Sequence, residues 1–172
     1  MFSSELWNNP GGSSQVLTQK AIFGYGYGPV SMTNLVSDSG VVASDTTGVG
    51  TARETPAAAG YGGDKAIFGF GGASSGRTAI TNLVSNSGVV ATDTSGVGTA
   101  RNELAAAAYG GDKAIFGFGV DASGKTAVTN LVSNSGVVAS DTAGVGTARG
   151  VIAAAGYGGD KAIFGFGKDG SN

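Results

Sequence analysis

One run of residues, Gly-Asp-Lys-Ala-Ile-Phe-Gly-Phe-Gly, occurs three times along the chain at a constant spacing. Its lysines are Lys65, Lys113 and Lys161, and a shorter form of the same run surrounds Lys20. The residues between these copies repeat in phase with it, so the chain consists of about three and a half copies of one unit. Such a sequence is constrained to fold as a repeat array, in which each unit packs mainly on its neighbours.

Each unit contains four segments of strand length separated by turn residues. Two of them, Ile152–Tyr157 and Lys161–Phe166, flank a Gly-Gly-Asp hairpin signal, and the other two are Ala127–Ser133 and Val137–Asp141. Alanine runs such as Ala105–Ala108 favour helix by propensity, but an isolated helix of that length is marginal. These runs also lie among β-branched and aromatic segments. We therefore predict an all-β fold.

The number of strands in each unit predicts a more specific architecture. Four strands in about 40–50 residues are typical of a β-propeller blade. The prediction is a β-propeller-like array of four-stranded repeats with a period of about 48 residues, over residues 17–172. Residues 1–16 are outside the repeat and form an N-terminal arm or cap. The one tryptophan, Trp7, would either anchor this arm to a neighbouring surface or cover the first repeat.

The composition excludes several classes of function. The chain has no histidine and no cysteine, so it lacks the commonest general base and metal ligand and has no thiolate nucleophile. Its formal net charge of −2 provides no basic surface for nucleic acid or an anionic membrane. No apolar run reaches the roughly 18 residues of a membrane helix, and no signal peptide is recognisable. We expect a protein without enzymatic activity or cofactor, located in the cytoplasm unless it belongs to a virion.

The repeat unit resembles the Kelch repeat. An Ala-Arg pair stands where the Kelch arginine is expected, and a Phe-Gly-Phe-Gly run stands where an apolar strand meets paired glycines. These segments are Ala-Arg 52–53, 100–101 and 148–149, and Phe68–Gly71, Phe116–Gly119 and Phe164–Gly167. The resemblance covers nearly all of residues 17–167 and implies propeller blades.

The amino-acid sequence of the repeat is also similar to that of repeat proteins of marine bacteriophages, particularly cyanophages. The similar segments are Asp-Lys-Ala-Ile-Phe-Gly-Phe-Gly and Thr-Asn-Leu-Val-Ser-Asn-Ser-Gly-Val-Val. This resemblance implies a structural component of the virion, such as a capsid decoration, tail or fibre protein. Its partners would be other copies of itself and other virion proteins.

A pair of opposite charges recurs once in every repeat, with the aspartate eight residues before the arginine. The aspartate ends a predicted fourth strand and the arginine begins the next unit, so a bidentate ion pair would join one blade to the next. A second interpretation is an anion site at each blade junction. The pairs are Asp45 with Arg53, Asp93 with Arg101, and Asp141 with Arg149.

An asparagine also recurs in the repeat. Asn34, Asn82 and Asn130 lie in the middle of apolar strands, where we expect them to satisfy backbone groups between blades.

Tyr61, Tyr109 and Tyr157 recur at a hairpin and would either pack within it or form a rim on which sugars stack. The second possibility makes a multivalent carbohydrate-binding, lectin-like module the alternative to a structural protein.

The repeats do not make a whole number of blades. The sequence predicts thirteen strands, or fourteen if Ser13–Thr18 supplies a replacement first strand. An incomplete sheet has an unpaired edge, which folded proteins normally cover. We expect another copy to cover it, in a ring completed by two or more chains or in a larger lattice. The alternative is a compact four-bladed ring sealed by the N-terminal segment.

Overall fold

The computed structural model describes residues 21–171, and within this range the chain is all-β, as the sequence predicts. The described residues contain no helix long and apolar enough to cross a membrane. The strands, in chain order, are β1 Ala21–Gly24, β2 Thr33–Val36, β3 Ala57–Tyr61, β4 Lys65–Gly69, β5 Gly72–Ala73, β6 Gly76–Arg77, β7 Thr81–Val84, β8 Ala105–Tyr109, β9 Lys113–Gly117, β10 Val120–Asp121, β11 Gly124–Lys125, β12 Thr129–Val132, β13 Ala153–Tyr157 and β14 Lys161–Gly165.

The strands recur with the sequence repeat, which divides the described chain into four units. Unit 2 (residues 51–94) contains the antiparallel sheet β3-β4-β7, and unit 3 (residues 99–142) contains the equivalent sheet β8-β9-β12. Unit 1 (residues 21–46) contains only the pair β1-β2, and unit 4 (residues 147–171) contains only the pair β13-β14. Unit 1 therefore has the second and third strands of the pattern, and unit 4 has the first and second.

The alanine-rich segments are strands, because tight hairpins fold each of them against an apolar partner. Ala105–Tyr109 pairs along its whole length with Lys113–Gly117. In the equivalent hairpin of unit 2, Gly62 and Gly63 have φ angles of 61° and 80°. Three residues, Gly62, Gly63 and Asp64, connect the paired residues Tyr61 and Lys65, and glycine adopts the positive φ of the first two without steric cost.

The predicted fourth strand, Val137–Asp141, does not form a continuous strand. The segment runs back beside β12 and makes only two isolated bridges, Val138 to Val132 and Thr142 to Thr129. Three steps along β12 thus match four steps along the returning segment, which therefore contains one extra residue. Such a bulge interrupts the hydrogen-bond ladder. Units 2 and 3 consequently each have a three-stranded sheet and one bulged segment, besides a short two-stranded hairpin, β5-β6 in unit 2 and β10-β11 in unit 3.

The first and last units are not joined. Among the described residues, neither β1 nor β2 packs against β13 or β14 in a way that would close a ring. The predicted N-terminal arm with Trp7 and the predicted replacement strand Ser13–Thr18 lie outside the described residues.

Successive sheets stack face to face, and one aromatic residue of each unit packs on a glycine of the unit before it. An added Cβ on Gly69 would lie 2.7 Å from Cζ of Phe116, and one on Gly117 would lie 2.8 Å from Cζ of Phe164. Only a residue without a side chain permits this approach. Both faces of a middle sheet are covered. Isoleucine and phenylalanine are consecutive in the second strand and point to opposite faces of the sheet, yet Ile67 of unit 2 and Phe116 of unit 3 are both fully buried.

Candidate functional site

Two arginines are the largest fully buried side chains in the described part of the chain. Arg53 and Arg101 have no solvent-accessible surface, and each lies at the start of its unit. Arg101 donates from Nε to the carbonyl of Phe118 (2.9 Å), from Nη1 to that of Thr99 (3.2 Å), and from Nη2 to Oδ1 of Asn130 (2.7 Å). Each of the three guanidinium nitrogens thus has an acceptor, and hydrogen bonding of this kind lowers the cost of burying a charge.

Arg53 occupies the equivalent place in unit 2. Its Nη1 donates to the carbonyls of Ile80 (2.6 Å) and Phe70 (3.1 Å), and its Nη2 donates to Oδ1 of Asn82. Its Nε is buried without a partner. Arg53 therefore makes the same link to the mid-strand asparagine through a slightly different arrangement of its guanidinium.

The asparagine connects the arginine to an aspartate. Nδ2 of Asn130 donates to Oδ1 of Asp141 (2.8 Å) and to the carbonyl of Ala139 (3.1 Å). Asn82 makes the same two bonds to Asp93 and Ala91. The side-chain amide thus accepts from the arginine and donates to the carboxylate, and it also satisfies a backbone carbonyl of the bulged segment.

The aspartate is bonded in turn to the threonine that begins the unit. Thr99 donates to Asp141 from its backbone N (3.0 Å) and from Oγ1 (2.6 Å). Gly98, with φ of 91°, passes so close that an added Cβ would collide with the Asp141 carboxylate. Burial alone would raise the pKa of Asp141, but hydrogen bonds from Thr99 and Asn130, together with the Arg101 charge, leave that pKa below its usual value.

These contacts form what we call the junction network, which has the same four residue types in both complete units. It joins the beginning of a unit to its third strand and to its end. The members are Thr51, Arg53, Asn82 and Asp93 in unit 2, and Thr99, Arg101, Asn130 and Asp141 in unit 3.

The predicted partners of the aspartates are therefore wrong. Asp93 is linked to Arg53, forty residues before it, and not to Arg101, eight residues after it. The same holds for Asp141 with Arg101 instead of Arg149. The reason is that the eight-residue interval crosses from the end of one unit into the next, whereas the network forms within a unit. The ion pairs in the described part of the chain are Asp64 with Lys65 and Asp160 with Lys161.

The arginines nevertheless connect neighbouring units, through aromatic rings. The guanidinium carbon of Arg101 lies 4.1 Å from the centre of the Phe70 ring, and that of Arg53 lies 4.6 Å from the Tyr25 ring. Arg149 stacks in the same way on Phe118, at 5.0 Å. Arg53 and Arg101 are thus held between the polar network of their own unit and an aromatic face of the preceding unit, where cation–π attraction is strong because water is excluded.

The charge of Arg101 persists at neutral pH despite its burial. Desolvation lowers the pKa of Arg101 to about 10, opposed by the charges of Asp141 and Asp121. A group with that pKa remains protonated at pH 7, so all its N–H groups remain available as donors. The buried guanidinium is therefore a fixed structural cation.

Units 1 and 4 each contain one half of a junction network. In unit 1, Asn34 donates to Asp45 (2.8 Å), but Oδ1 of Asn34 accepts no hydrogen bond from any described residue. In unit 4, Arg149 donates to the carbonyls of Thr147 (3.3 Å) and Phe166 (2.8 Å), while its Nη2 has no acceptor among the described residues.

The three recurring tyrosines do not form a uniform exposed rim. Tyr61 is buried in the core, Tyr109 is half-buried, and Tyr157 is 53% exposed. The gradient follows from stacking, because Gly136 of unit 3 packs against Tyr61 and no described residue covers Tyr157 in this way.

A groove of about 700 Å³ opens at the boundary of units 3 and 4. Tyr109, Phe118, Tyr157 and Phe164 line its apolar part, and Arg149 lies at its edge. Within residues 21–171 no cluster of three carboxylates could hold a metal ion.

No protein-family model matches the chain, and no curated protein is significantly similar to it. The sequence identified the arginines, aspartates and asparagines as recurring positions, but it did not identify the threonine of Thr-Ala-Arg as a network member. Its fixed place before each arginine was the available signal.

Proposed function

We propose that the chain is a non-enzymatic structural protein that assembles through the edges of its repeats, and that it forms part of a bacteriophage particle as a capsid decoration, tail or fibre component. Its units are propeller-like and of the Kelch type, stacked as an array. In this role it contacts other copies of itself and other virion proteins. The phage assignment rests on the resemblance of the repeat to marine bacteriophage proteins.

The observation that carries the structural role is the internal use of the recurring polar residues. In each complete unit, the threonine, arginine, asparagine and aspartate of the junction network bond to one another and to backbone carbonyls. Asp93 and Asp141 are held by threonine and asparagine donors, which favour the carboxylate and leave it a poor proton donor or acceptor near pH 7. Repeated, self-satisfied polar groups suit a scaffold.

The carbohydrate-binding alternative has weaker support. A multivalent module needs one accessible tyrosine in each unit, whereas Tyr61 is buried. Of the three recurring tyrosines, only Tyr157 offers more than half of its surface to a ligand. The burial gradient of the tyrosines therefore favours the structural role.

Particle composition tests the proposal directly. Mass spectrometry of purified particles of the phage that encodes this chain should detect it at a copy number comparable to that of other structural proteins. Its absence from intact particles would overturn the virion assignment. A glycan array with the purified chain is expected to show no specific binding, and saturable binding lost on Tyr157→Ala would favour the alternative instead.

A further inference from the structure

The first and last units carry complementary halves of one complete unit. Unit 1 has the second and third strands with Asn34 and Asp45, and unit 4 has the first and second strands with Thr147 and Arg149. Only the second strand is present in both. Its sequence in unit 4, Lys-Ala-Ile-Phe-Gly at 161–165, is identical to that at 20–24.

The register of the strands would allow one copy of the second strand to replace the other. Gly24 pairs with Thr33 in unit 1, as Gly69 pairs with Thr81 in unit 2 and Gly117 pairs with Thr129 in unit 3. In unit 4, Gly165 is paired with the first strand on one side. On its other side, β14 has no partner strand among the described residues. An unpaired edge of this kind is a template for a strand from another chain.

The two half-networks also match in their hydrogen-bonding groups. Nη2 of Arg149 has no acceptor and Oδ1 of Asn34 has no donor among the described residues. These are the atoms that bond in unit 3, where Nη2 of Arg101 donates to Asn130. The sequence contains no arginine before Arg53, so residues 1–20 cannot supply the missing guanidinium.

The packing surfaces beside these groups match as well. Gly136 of unit 3 packs on Leu83 and Tyr61 of unit 2. The equivalent glycine of unit 1, Gly40, has no atom within 4 Å of an added Cβ, and the equivalent leucine of unit 3, Leu131, is 41% exposed. The groove between units 3 and 4 lies where the third strand and bulged segment pack in the complete units.

We propose that unit 4 of one copy and unit 1 of a second copy combine into a single complete unit. The strand Lys161–Gly165 takes the place of Ala21–Gly24 against Thr33–Val36 of the other copy. Thr147 and Arg149 then bond to Asn34 and Asp45 of that copy. The partner is a second copy of this chain, joined head to tail.

Such a contact uses different surfaces on the two copies, so it leaves one free half-unit at each end. A heterologous contact that does not close generates an open filament. The exchange replaces one strand by another of nearly identical sequence, so pairing lost within one copy is regained between copies. The inference rests on the proposed structural role in one respect, namely that the chain assembles with itself.

Register-specific cross-linking tests the proposal, because the chain has no cysteine of its own. In units 2 and 3 the third-strand leucine lies opposite the second-strand isoleucine, as in the pair Leu83 and Ile67. A mixture of Leu35→Cys and Ile163→Cys chains should therefore form a disulfide-linked heterodimer on mild oxidation. The matched control is Leu35→Cys mixed with Phe164→Cys, which is one residue out of register and points to the other face.

A complementation experiment tests the network itself. Arg149→Ala and Asn34→Ala should each weaken head-to-tail association by about tenfold in light scattering, because each removes one charge-assisted hydrogen bond. Mixing the two variants restores one intact junction per pair and should give dimers that do not extend. Arg77→Ala, which removes an exposed arginine outside both halves, should leave association unchanged.

The results separate this inference from the proposed function. Wild-type chains that remain monomeric at high concentration, or equal cross-linking by both cysteine pairs, would overturn the shared unit and leave the particle-composition test unaffected. Absence of the chain from phage particles together with in-register cross-linking would overturn the virion role and retain the shared unit.

Discussion

Asp141 accepts hydrogen bonds from the backbone N and the Oγ1 of Thr99, which lies 42 residues earlier in the chain, at 3.0 and 2.6 Å. The contact joins the first residue of unit 3 to its bulged last segment. Asp93 and Thr51 make the same contact in unit 2. Each complete unit is thereby tied from start to end without a continuous fourth strand.

The carboxylates of these contacts should make the fold sensitive to acid. Hydrogen bonds and the nearby arginine leave the pKa of Asp93 and Asp141 below the ordinary value, although burial alone would raise it. Folding therefore favours the charged form. The stabilisation is present above the unfolded pKa of about 3.9 and is lost as the pH falls through the lower folded value. Urea midpoints between pH 6 and pH 2.5 should decrease most steeply below about pH 4.

The same titration on Asp141→Asn should show a lower midpoint at pH 6 and a weaker decrease in acid, since one responding carboxylate is gone. Asp45→Asn is the matched control, because no described threonine or arginine bonds to Asp45, and it should lower the midpoint at pH 6 by less. An acid dependence of Asp141→Asn as steep as that of the wild type would contradict this assignment.

Removing a buried arginine should be far more damaging than removing its half-exposed equivalent. Arg101→Met leaves Oδ1 of Asn130 and the carbonyl of Phe118 without their donor, and we expect a loss of about 2–4 kcal/mol in unfolding free energy. Arg149→Met should cost about 0.5 kcal/mol, because its groups reach solvent. Denaturant unfolding followed by circular dichroism gives both values, and equal losses would show that burial of the network is unimportant.

The glycine that receives the aromatic ring should be replaceable only where the ring is absent. A Cβ at position 117 would lie 2.8 Å from Cζ of Phe164, so Gly117→Val should destabilise the fold by about 2 kcal/mol. Gly165→Val is the matched control, since nothing lies within 4 Å of an added Cβ there. We expect it to be neutral or slightly stabilising, because valine favours strands. Thermal unfolding of dilute protein measures the difference.

An aromatic residue with positive φ recurs after each second strand, and its stability effect should depend on the neighbouring unit. Phe118 and Phe166 have φ of 63° and 62°, but Phe118 is 7% exposed and Phe166 is 88% exposed. Phe118→Gly removes contacts with Phe164 and Arg149 and should cost about 3 kcal/mol, even after relief of backbone strain. Phe166→Gly should change stability by about 0.5 kcal/mol or less. A large loss at Phe166 in monomeric protein would contradict the packing argument.

The fold class could be predicted because local chemistry and repetition agree. Gly62 and Gly63 specify a tight hairpin, and the flanking Ala-Ile-Phe strands lack a polar face, which indicates burial on both sides. The bulge at Val137–Asp141 could not be predicted, because Val-Val-Ala-Ser-Asp is compatible with a regular strand. Its extra residue becomes apparent only when the segment is compared with the strand opposite it.

Periodicity and turn chemistry along the chain account for the repeat, the strands of each hairpin and the recurring arginine, asparagine and aspartate. The tertiary structure alone decided which of them meet. An arginine and an aspartate eight residues apart are neighbours in sequence, but stacking places them in different units. The antiparallel return of the bulged segment beside β12 instead brings Asp141 within hydrogen-bonding distance of Asn130 and Thr99.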